Sequence, residues 1–470
     1  MTTTRVGMNT GEHLNRLIAA GIITCLVGLT AVAQSEPNLA ELEARIAKLE
    51  ANETEQALLS SWPGFEFHGY MRSGFGSNGE GGAIEAFRAP NAGAKYRLGN
   101  EAETYLETAF RQNLVPRKGE SKFGTQVLIA YVTPSSSNND FDSTITLREA
   151  FADASGVLEF APEAEFWAGQ RFYDRWDIHM NDFYYRDLSG FGGGVQKVEA
   201  GPGIMSLAWL GGTISEVRSD GLPREDPESA LNNNTFDVRM DEIKLPLGKL
   251  GLSFDAVYFD GDDFTRDGDE HPISVENSAG WGVGIYYTIE DDSTYRNRFV
   301  AQYGNGVASS FRSVITPPPH LIIDEGESLD MDEFKRLLLI NDFVVDTQSG
   351  WSLTLAAVYD YYDLGQGGND KLEWYSLGAR PVYFFTEHLS LAIEAGWDYT
   401  DTEGGAKGSL WKATIAPQIT PASHILSRPA LRAFVTYAWW SDEFRGSVAE
   451  NTYSDETEGL SAGLQMETWW

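Results

Sequence analysis

The sequence is poor in cysteine and in basic residues. Its 470 residues include one cysteine, Cys25, and 35 lysines and arginines against 69 aspartates and glutamates. A single cysteine excludes a disulfide framework. The formal net charge of −34 excludes ordinary nucleic-acid binding, which needs a basic surface, and argues against docking on anionic lipid head groups. Residues 65–470 also lack any run of about 18 consecutive apolar residues, so no transmembrane helix is predicted there.

The N-terminal segment, residues 1–33, has the pattern of a secretory signal peptide. Arg5 and Arg16 precede an apolar stretch at 17–33, which ends in the cleavage pattern Ala31-Val32-Ala33. A single membrane anchor is the alternative, but the stretch is at the short end of the spanning range. We therefore predict export with cleavage after residue 33.

Residues 34–64 are predicted to form a short periplasmic coiled coil and a linker. Apolar residues alternate at spacings of three and four, a heptad seam made of Leu39, Leu42, Ile46 and Leu49. Because β-branched and γ-branched residues mix at this seam, a trimer is favoured over a dimer. Two heptads are marginal alone, so a short solvated amphipathic helix is the alternative reading.

From residue 65 to residue 470, apolar and polar residues alternate with a period of two between turn-rich stretches. Clear stripes occupy 353–361, 389–399 and 431–439, and 95–110 also reads as one strand. Alternation alone does not separate a soluble sandwich from a membrane barrel. The polar faces carry charges, however, the strands begin or end with aromatic residues, and the chain closes on an amphipathic strand ending at Trp470. The sequence therefore predicts an all-β fold, a transmembrane antiparallel β-barrel of about 18 strands, wide enough for an aqueous channel.

Several blocks along this region are similar to the maltoporins, the sugar-specific porins of the bacterial outer membrane. The blocks are FHGYMRSGFG at 67–76, WAGQRFYDRWDIHMNDFYYRDLSG at 167–190, SRPALRAFVTYA at 427–438 and LQMETWW at 464–470. The resemblance implies a homotrimer of 18-stranded barrels, embedded in the outer-membrane lipid bilayer with the N-terminal segment in the periplasm. It implies facilitated diffusion of maltose and maltodextrin-type oligosaccharides, with no catalytic residues, metal or cofactor. The coiled-coil extension is similar to that of the sucrose porins.

The resemblance also implies a row of aromatic residues along which sugars move. The matching positions are Tyr70, Tyr105 and Trp469, with Phe141 as an aromatic contributed by a neighbouring subunit. Strand parity independently turns the first three toward the polar, lumen face. A pyranose ring has an apolar face that stacks on aromatic rings, so a row of rings offers many weak, similar sites. Packing against an inward-folded loop is the alternative role for such residues.

A polar track opposite the aromatic row is implied in the same way. Its matching positions are Arg72, Arg97, Glu107, Arg148, Arg175, Asp177, Asp182 and Tyr184. Sugar hydroxyls both donate and accept hydrogen bonds, so a sugar channel needs both kinds of partner. Residues 175–184 belong to a loop that folds into the barrel in the family and forms its constriction. A salt-bridge network that only braces this loop is the alternative role.

Two departures shorten the aromatic row. One row position falls on Leu426, and another falls at Tyr295-Arg296, where the sequence does not fix which residue faces inward. A secreted carbohydrate-binding or carbohydrate-cleaving β-protein is the alternative function. It receives little support, because carboxylate pairs are too frequent here to identify a catalytic pair and no metal or nucleotide motif is present. Acidic residues on the predicted lumen faces outnumber basic ones modestly, which predicts a weakly cation-selective pore.

Overall fold

The computed structural model describes the chain from residue 64 to residue 470 with short gaps. The described ranges are 64–114, 121–133, 143–214, 231–264, 271, 273–291, 295–313, 318–321, 326–347, 350–365, 367 and 370–470. The predicted signal peptide, the predicted coiled coil and Phe141 lie outside the described residues. Among the described residues, no helix is both long enough and apolar enough to cross a bilayer.

The described residues form a single large barrel with small additions. Eighteen strands pair antiparallel, each with the next along the barrel, and the last pairs with the first to close it. These are β1 (Phe65–Asn78), β2 (Thr104–Leu114), β3 (Lys122–Thr133), β4 (Thr144–Ser155), β5 (Glu165–Arg171), β8 (Gly190–Ala200), β9 (Gly203–Ile214), β10 (Leu231–Leu245), β11 (Gly248–Asp260), β14 (Ser278–Glu290), β15 (Tyr295–Asn305), β17 (Lys335–Asp346), β18 (Trp351–Asp363), β19 (Lys371–Phe384), β20 (Leu389–Thr402), β21 (Lys407–Ile419), β22 (Ala430–Trp440) and β23 (Glu458–Trp469).

The remaining elements lie in the connections between barrel strands. The strands β6 (Arg175–Ile178) and β7 (Phe183–Asp187) form a hairpin, and β12 (Asp263–Phe264), β13 (Ile273–Val275) and β16 (Ser328–Leu329) form a small sheet. Short helices occupy Gly306–Ser310, Asp442–Phe444 and Glu450–Tyr453. One side of the barrel has short turns, such as 201–202 and 246–247, and the other has the long connections. We call these the short-turn side and the long-loop side.

The alternation read from the sequence separates the two faces of the barrel wall. In β22, the outward Leu431 is 50% exposed whereas the inward Arg432 is 8% exposed. Outward aromatic rings pack on one another across strands, as Trp411 does on Trp439 at 6.0 Å between centroids. An apolar outer face with charged side chains inside is the pattern of a membrane barrel around a polar lumen. The predicted all-β barrel of about 18 strands is confirmed.

One predicted strand is wrong in its boundaries. The alternation at 95–110 suggested one strand, but β2 begins only at Thr104, and the preceding segment folds into the lumen. Tyr96 reaches the opposite wall, where its hydroxyl lies 2.8 Å from Ser376 Oγ. Its ring fits there because Gly378 and Gly396 have no side chain; a Cβ on either would lie 2.0 Å from the ring. Alternation in sequence did not reveal that this segment leaves the wall.

Candidate functional site

Three neighbouring strands, β23, β1 and β2, bring most of the predicted wall residues together where the barrel closes. Tyr70 is directly opposite Trp469 on one side and Glu107 on the other. Arg72 is directly opposite Tyr105. Residues facing each other across strands share a face of the sheet, so all five side chains point into the lumen. The side chains of Tyr70, Tyr105 and Trp469 therefore point to the lumen face of the sheet, as strand alternation predicts.

The β6–β7 hairpin folds inward and lies across the lumen from these strands. Between the hairpin and the wall is a cavity of about 390 Å³, which we call the upper cavity. Ten of the twelve predicted residues line it, together with His179: Tyr70, Arg72, Arg97, Tyr105, Glu107, Arg175, Asp177, Asp182, Tyr184 and Trp469. The aromatic row and the polar track thus face each other across one cavity.

A network of ion pairs fixes the charged residues of this cavity. Arg72 pairs with Glu103 at 2.9 Å and reaches Asp182 at 3.6 Å. Arg97 is buried, pairs with Glu101 at 2.9 Å and donates to the Tyr70 hydroxyl at 2.7 Å. Arg97 therefore positions Tyr70 and braces the loop, which was the alternative role considered for the track.

Guanidinium groups cover one face of several lumen aromatics. The Arg428 guanidinium carbon lies 4.1 Å from the Trp469 ring centroid, and Arg175 lies 4.0 Å from the Tyr184 ring. Cation–π contacts of this kind are worth about 0.5–2 kcal/mol, depending on solvent exposure. Each contact holds a ring in a fixed orientation, which is what a stacking surface for a ligand needs.

The two hairpin carboxylates differ in their partners. Asp182 has a positive φ of 56°, in the turn of the hairpin, and faces Arg72. The carboxylate of Asp177 forms no hydrogen bond or ion pair with any described residue, and it lines the cavity. Burial, and secondarily the nearby charge of Asp182, raise the pKa of Asp177 above that of a free aspartate. An acceptor with no protein partner is available to a ligand hydroxyl.

A buried charge cluster attaches the hairpin to the barrel wall. Arg186 of β7 is 1% exposed and pairs with Asp237 at 2.9 Å, with Asp255 at 2.6 Å and with Asp174. Arg239 joins the cluster through Asp237 at 3.0 Å. Two arginines and three aspartates from the hairpin, β10 and β11 thus satisfy one another, which fixes the hairpin across the lumen.

One further predicted residue, Arg148, lies outside the upper cavity. Arg148 stacks on Phe172 at 5.2 Å, and Arg175 lies at 4.3 Å from the same ring. Arg148 lines a neighbouring cavity of about 390 Å³ with Phe172, Phe191 and Gly211. The position of Phe141 is outside the described residues.

A larger cavity of about 510 Å³, the lower cavity, continues the path toward the short-turn side. It shares Arg175, Asp177 and His179 with the upper cavity. Leu426 lines it, and so does Arg296, whose guanidinium pairs with Asp342 at 2.5 Å.

The structure also decides the register that the sequence left open at Tyr295-Arg296. Tyr295 borders the lower cavity but packs edge-on against the outward Phe343 at 5.4 Å, so the inward residue is Arg296.

Sequence reasoning missed the residues that connect these elements. The ring of His179 lies at 5.9 Å, edge-on, from that of Trp469 and borders both cavities. Glu467 is shared by Arg428 at 2.6 Å, Arg432 at 3.2 Å and Arg97 at 3.4 Å. Glu467 lies two residues before Trp469 on β23 and therefore shares its lumen face, but its partners come from distant segments that only the fold brings together.

Comparison with known protein families shows which family the chain belongs to. Residues 65–470 match the LamB porin family. The chain belongs to the LamB porin family. This confirms the maltoporin-type resemblance noted in the sequence and makes the chain an outer-membrane porin. Membership of a porin family indicates a channel rather than an enzyme, and it displaces the secreted β-protein as the alternative function.

Solved porins are similar to this LamB porin at low sequence identity. The BenF-like porin from Pseudomonas fluorescens Pf-5 is 11% identical, with 87% of this chain and 99% of that chain covered and a TM-score of 0.47. Pseudomonas aeruginosa OpdK, solved with vanillate, is 11% identical, with coverages of 86% and 99% and a TM-score of 0.45. Salmonella typhi OmpF, in complex with daunomycin, is 9% identical, with coverages of 86% and 97% and a TM-score of 0.42.

Proposed function

We propose that this LamB porin gives facilitated diffusion of maltose and maltodextrin-type oligosaccharides through its lumen. The observation that carries the proposal is the single cavity in which Tyr70, Tyr105 and Trp469 face the donors and acceptors of the hairpin. Rings on one side and charged groups on the other suit a sugar, which has an apolar face and a rim of hydroxyls.

The proposed movement along the path follows from these two surfaces. A pyranose would stack on Tyr105, Tyr70 and Trp469 in turn while its hydroxyls exchange partners between Arg175 and Asp177. No contact needs to be strong, because conduction requires a ligand to leave each site as readily as it enters. Arg72 and Arg97, which are held in ion pairs, keep the rings and the hairpin in place.

The hairpin carboxylates provide a direct test. Replacing Asp177 and Asp182 with asparagine is expected to weaken block of the ion current by maltotriose by roughly 5- to 20-fold, because hydrogen bonds to charged groups contribute about 1.5–3 kcal/mol each, partly retained by the amide. Single-channel recording in a planar bilayer at neutral pH, titrated with maltotriose, measures the change. Glu199→Gln in β8, a substitution outside both cavities, is the control and should bind as the wild type does.

Acidification adds a second readout to the same experiment. Because the pKa of Asp177 is raised, its carboxylate should lose its charge at a higher pH than an ordinary aspartate as the solution is made acidic. Sugar block and cation preference of the wild type should both fall over that range, and Asp177→Asn should show a smaller fall in each. Unchanged maltotriose block in the double variant would contradict the assignment of the track.

We propose further that the protein assembles as a homotrimer in which a neighbour completes the site. The strand β5 has seven residues and pairs with β4 only from Ala150 to Ser155. The cavity lined by Arg148 also has outward residues at its edge, Leu147 and Phe191, which are 48% and 60% exposed. We propose that the segment containing Phe141 of a second copy reaches the edge of this cavity, beside Arg148.

The assembly proposal predicts different effects for two changes. Deleting 37–60 should leave trimers, because two heptads contribute little beside a barrel interface. Phe141→Ala should keep the trimer and weaken sugar block about 2- to 10-fold, as expected for one lost ring contact. Native mass measurement in mild detergent and bilayer recording give the two readouts. Monomeric wild-type protein would contradict the proposal, and so would normal sugar block by Phe141→Ala.

A further inference from the structure

The lower cavity differs chemically from the upper one. At the two places where the aromatic row would continue, the wall presents Leu426 and Arg296. The aromatic ring in this cavity comes instead from the hairpin, where Trp176 donates its indole N–H to Asp174 at 2.7 Å. At these two places, stacking on aromatic residues of the wall is therefore replaced by the Trp176 ring, which is held by the hairpin.

The guanidinium of Arg298 lies against that ring. Its central carbon is 4.2 Å from the Trp176 centroid, and Nε donates to Thr288 at 3.2 Å. Nη1 has only a long contact of 3.5 Å to the Tyr185 hydroxyl. Nη2 has no hydrogen bond to the part of the chain that the structure describes, and no carboxylate there forms an ion pair with Arg298.

The acidic side chains of this cavity are mostly occupied by other partners. Asp342 is held by Arg296 at 2.5 Å. Asp346 accepts from the Ile425 amide at 3.0 Å and lies 3.1 Å from His424. Glu290 pairs with Lys249 at 3.3 Å, and Asp291 accepts from the Tyr295 amide at 2.8 Å. Each of these four carboxylates has a partner other than Arg298.

The opposite wall of the cavity carries an excess of positive charge. Glu467 pairs with both Arg428 and Arg432, and Glu394 pairs with both Arg380 at 2.5 Å and Lys412 at 2.8 Å. Together with Arg97, which also pairs with Glu467 at 3.4 Å, five cations share these two carboxylates, and Arg298 adds a further positive charge. Asp177 of the hairpin opposes them at the border with the upper cavity.

We propose that the lower cavity is a subsite for an acidic sugar residue, one whose ring carries a carboxylate, bound by Arg298 while the ring packs against Trp176. This inference rests on the proposed sugar-porin function and adds a substrate class to it. A guanidinium presents two parallel donors that match a carboxylate, and its plane is already oriented by the indole. The neutral part of an oligosaccharide would occupy the upper cavity while the acidic residue occupies the lower one.

The test compares one oligosaccharide with and without its charge. Trigalacturonate and its neutral methyl ester are added on the short-turn side of single channels at neutral pH, and the dwell time of each blocking event is measured. In the wild type, the acid is expected to dwell about 10-fold longer than the ester, which corresponds to one charge-assisted contact. In Arg298→Gln the ratio of the two dwell times should fall to between one and two.

A matched control separates a specific contact from general electrostatics. Lys197→Gln removes one positive charge on the same side of the barrel, where Lys197 pairs with Glu165 at 2.7 Å outside the lower cavity. Its dwell-time ratio should equal that of the wild type. Equal dwell times of acid and ester in the wild type, or an unchanged ratio in Arg298→Gln, would overturn the inference while maltotriose block still supports the porin function. If neither maltotriose nor either galacturonate probe blocks the wild type, the proposed function fails and the inference fails with it.

Salt gives an independent check of the same subsite. The chain carries a net charge of −34, so the exterior should slow the entry of an acidic sugar at low salt. Raising the salt concentration should therefore increase the rate of trigalacturonate binding and shorten its dwell time, because both repulsion outside and attraction inside are screened. A dwell time that does not change with salt would contradict binding to Arg298.

Discussion

Replacing Arg186 with methionine is expected to release the β6–β7 hairpin from the barrel wall and to give a wider pore that no longer binds sugar well. Arg186 is buried and donates to Asp174, Asp237 and Asp255. Removing one partner of a buried ion pair costs about 3–5 kcal/mol, because the remaining charges are left uncompensated. Without Arg186, the three carboxylates would have only Arg239 to oppose them, and the hairpin would lose its strongest attachment.

Single-channel recording measures both consequences. The conductance of Arg186→Met should rise, and maltotriose should bind at least about 10-fold more weakly, a loss of about 1.4 kcal/mol. Arg336→Met is a matched control, because Arg336 is also a buried lumen arginine and pairs with Asp360 at 2.7 Å. Its other contacts among the described residues are with Ser310, Phe311 and Tyr362, none of which belongs to the hairpin. An equal rise in conductance in both variants would show that a weakened barrel, and not a released hairpin, is the cause.

A second variant keeps the prediction testable if Arg186→Met folds poorly. Adding Asp237→Asn and Asp255→Asn to Arg186→Met removes most of the uncompensated charge, so the barrel should regain resistance to heat denaturation in detergent. The hairpin should remain detached, because amide contacts replace only part of a charged network. Recovery of stability together with wild-type conductance would show that the cluster stabilises the wall without holding the hairpin.

The barrel could be predicted from the sequence because strand alternation and the closing C-terminal strand are local patterns. The same rule predicts that the side chains of Tyr70 and Arg72 both point into the lumen, because side chains two residues apart on a strand lie on the same face of the sheet. The inward path of the segment before Thr104 could not be predicted, because its residues continue the alternation. Its departure from the wall depends on Gly378 and Gly396, far along the chain, which make room for the ring of Tyr96.

The contacts between distant segments within the site also could not be predicted from the sequence. His179 lies in the turn of an inward hairpin, where strand parity has no meaning, yet it borders both cavities. The inward facing of Arg296 depends on where the preceding turn ends, which no pattern in the sequence marks. Arg298 was not considered, because an arginine on an alternating strand is ordinary; only the absence of a carboxylate partner among the described residues distinguishes it.

Replacing Trp469 with alanine is expected to weaken sugar binding about 2- to 12-fold while raising ion conductance, because one ring contact is worth about 0.5–1.5 kcal/mol beyond its buried area. Trp469 sits where the two cavities meet, with Arg428 against one face and His179 against its edge. Losing the ring therefore removes a stacking surface and also uncovers one face of the Arg428 guanidinium, which stays paired with Glu467. Acidic sugars should accordingly lose less affinity than neutral ones.

Trp411→Ala is the matched control for this prediction, because Trp411 faces outward on β21 and packs against Trp439. It should leave maltotriose block and conductance unchanged, although the barrel loses an aromatic contact at its outer surface. Trp469→Phe should retain most of the binding that Trp469→Ala loses, since a smaller ring still stacks on a pyranose. If Trp469→Phe and Trp469→Ala bind maltotriose equally weakly, the indole acts by holding Arg428 and His179 in place, and the aromatic row would end at Tyr70.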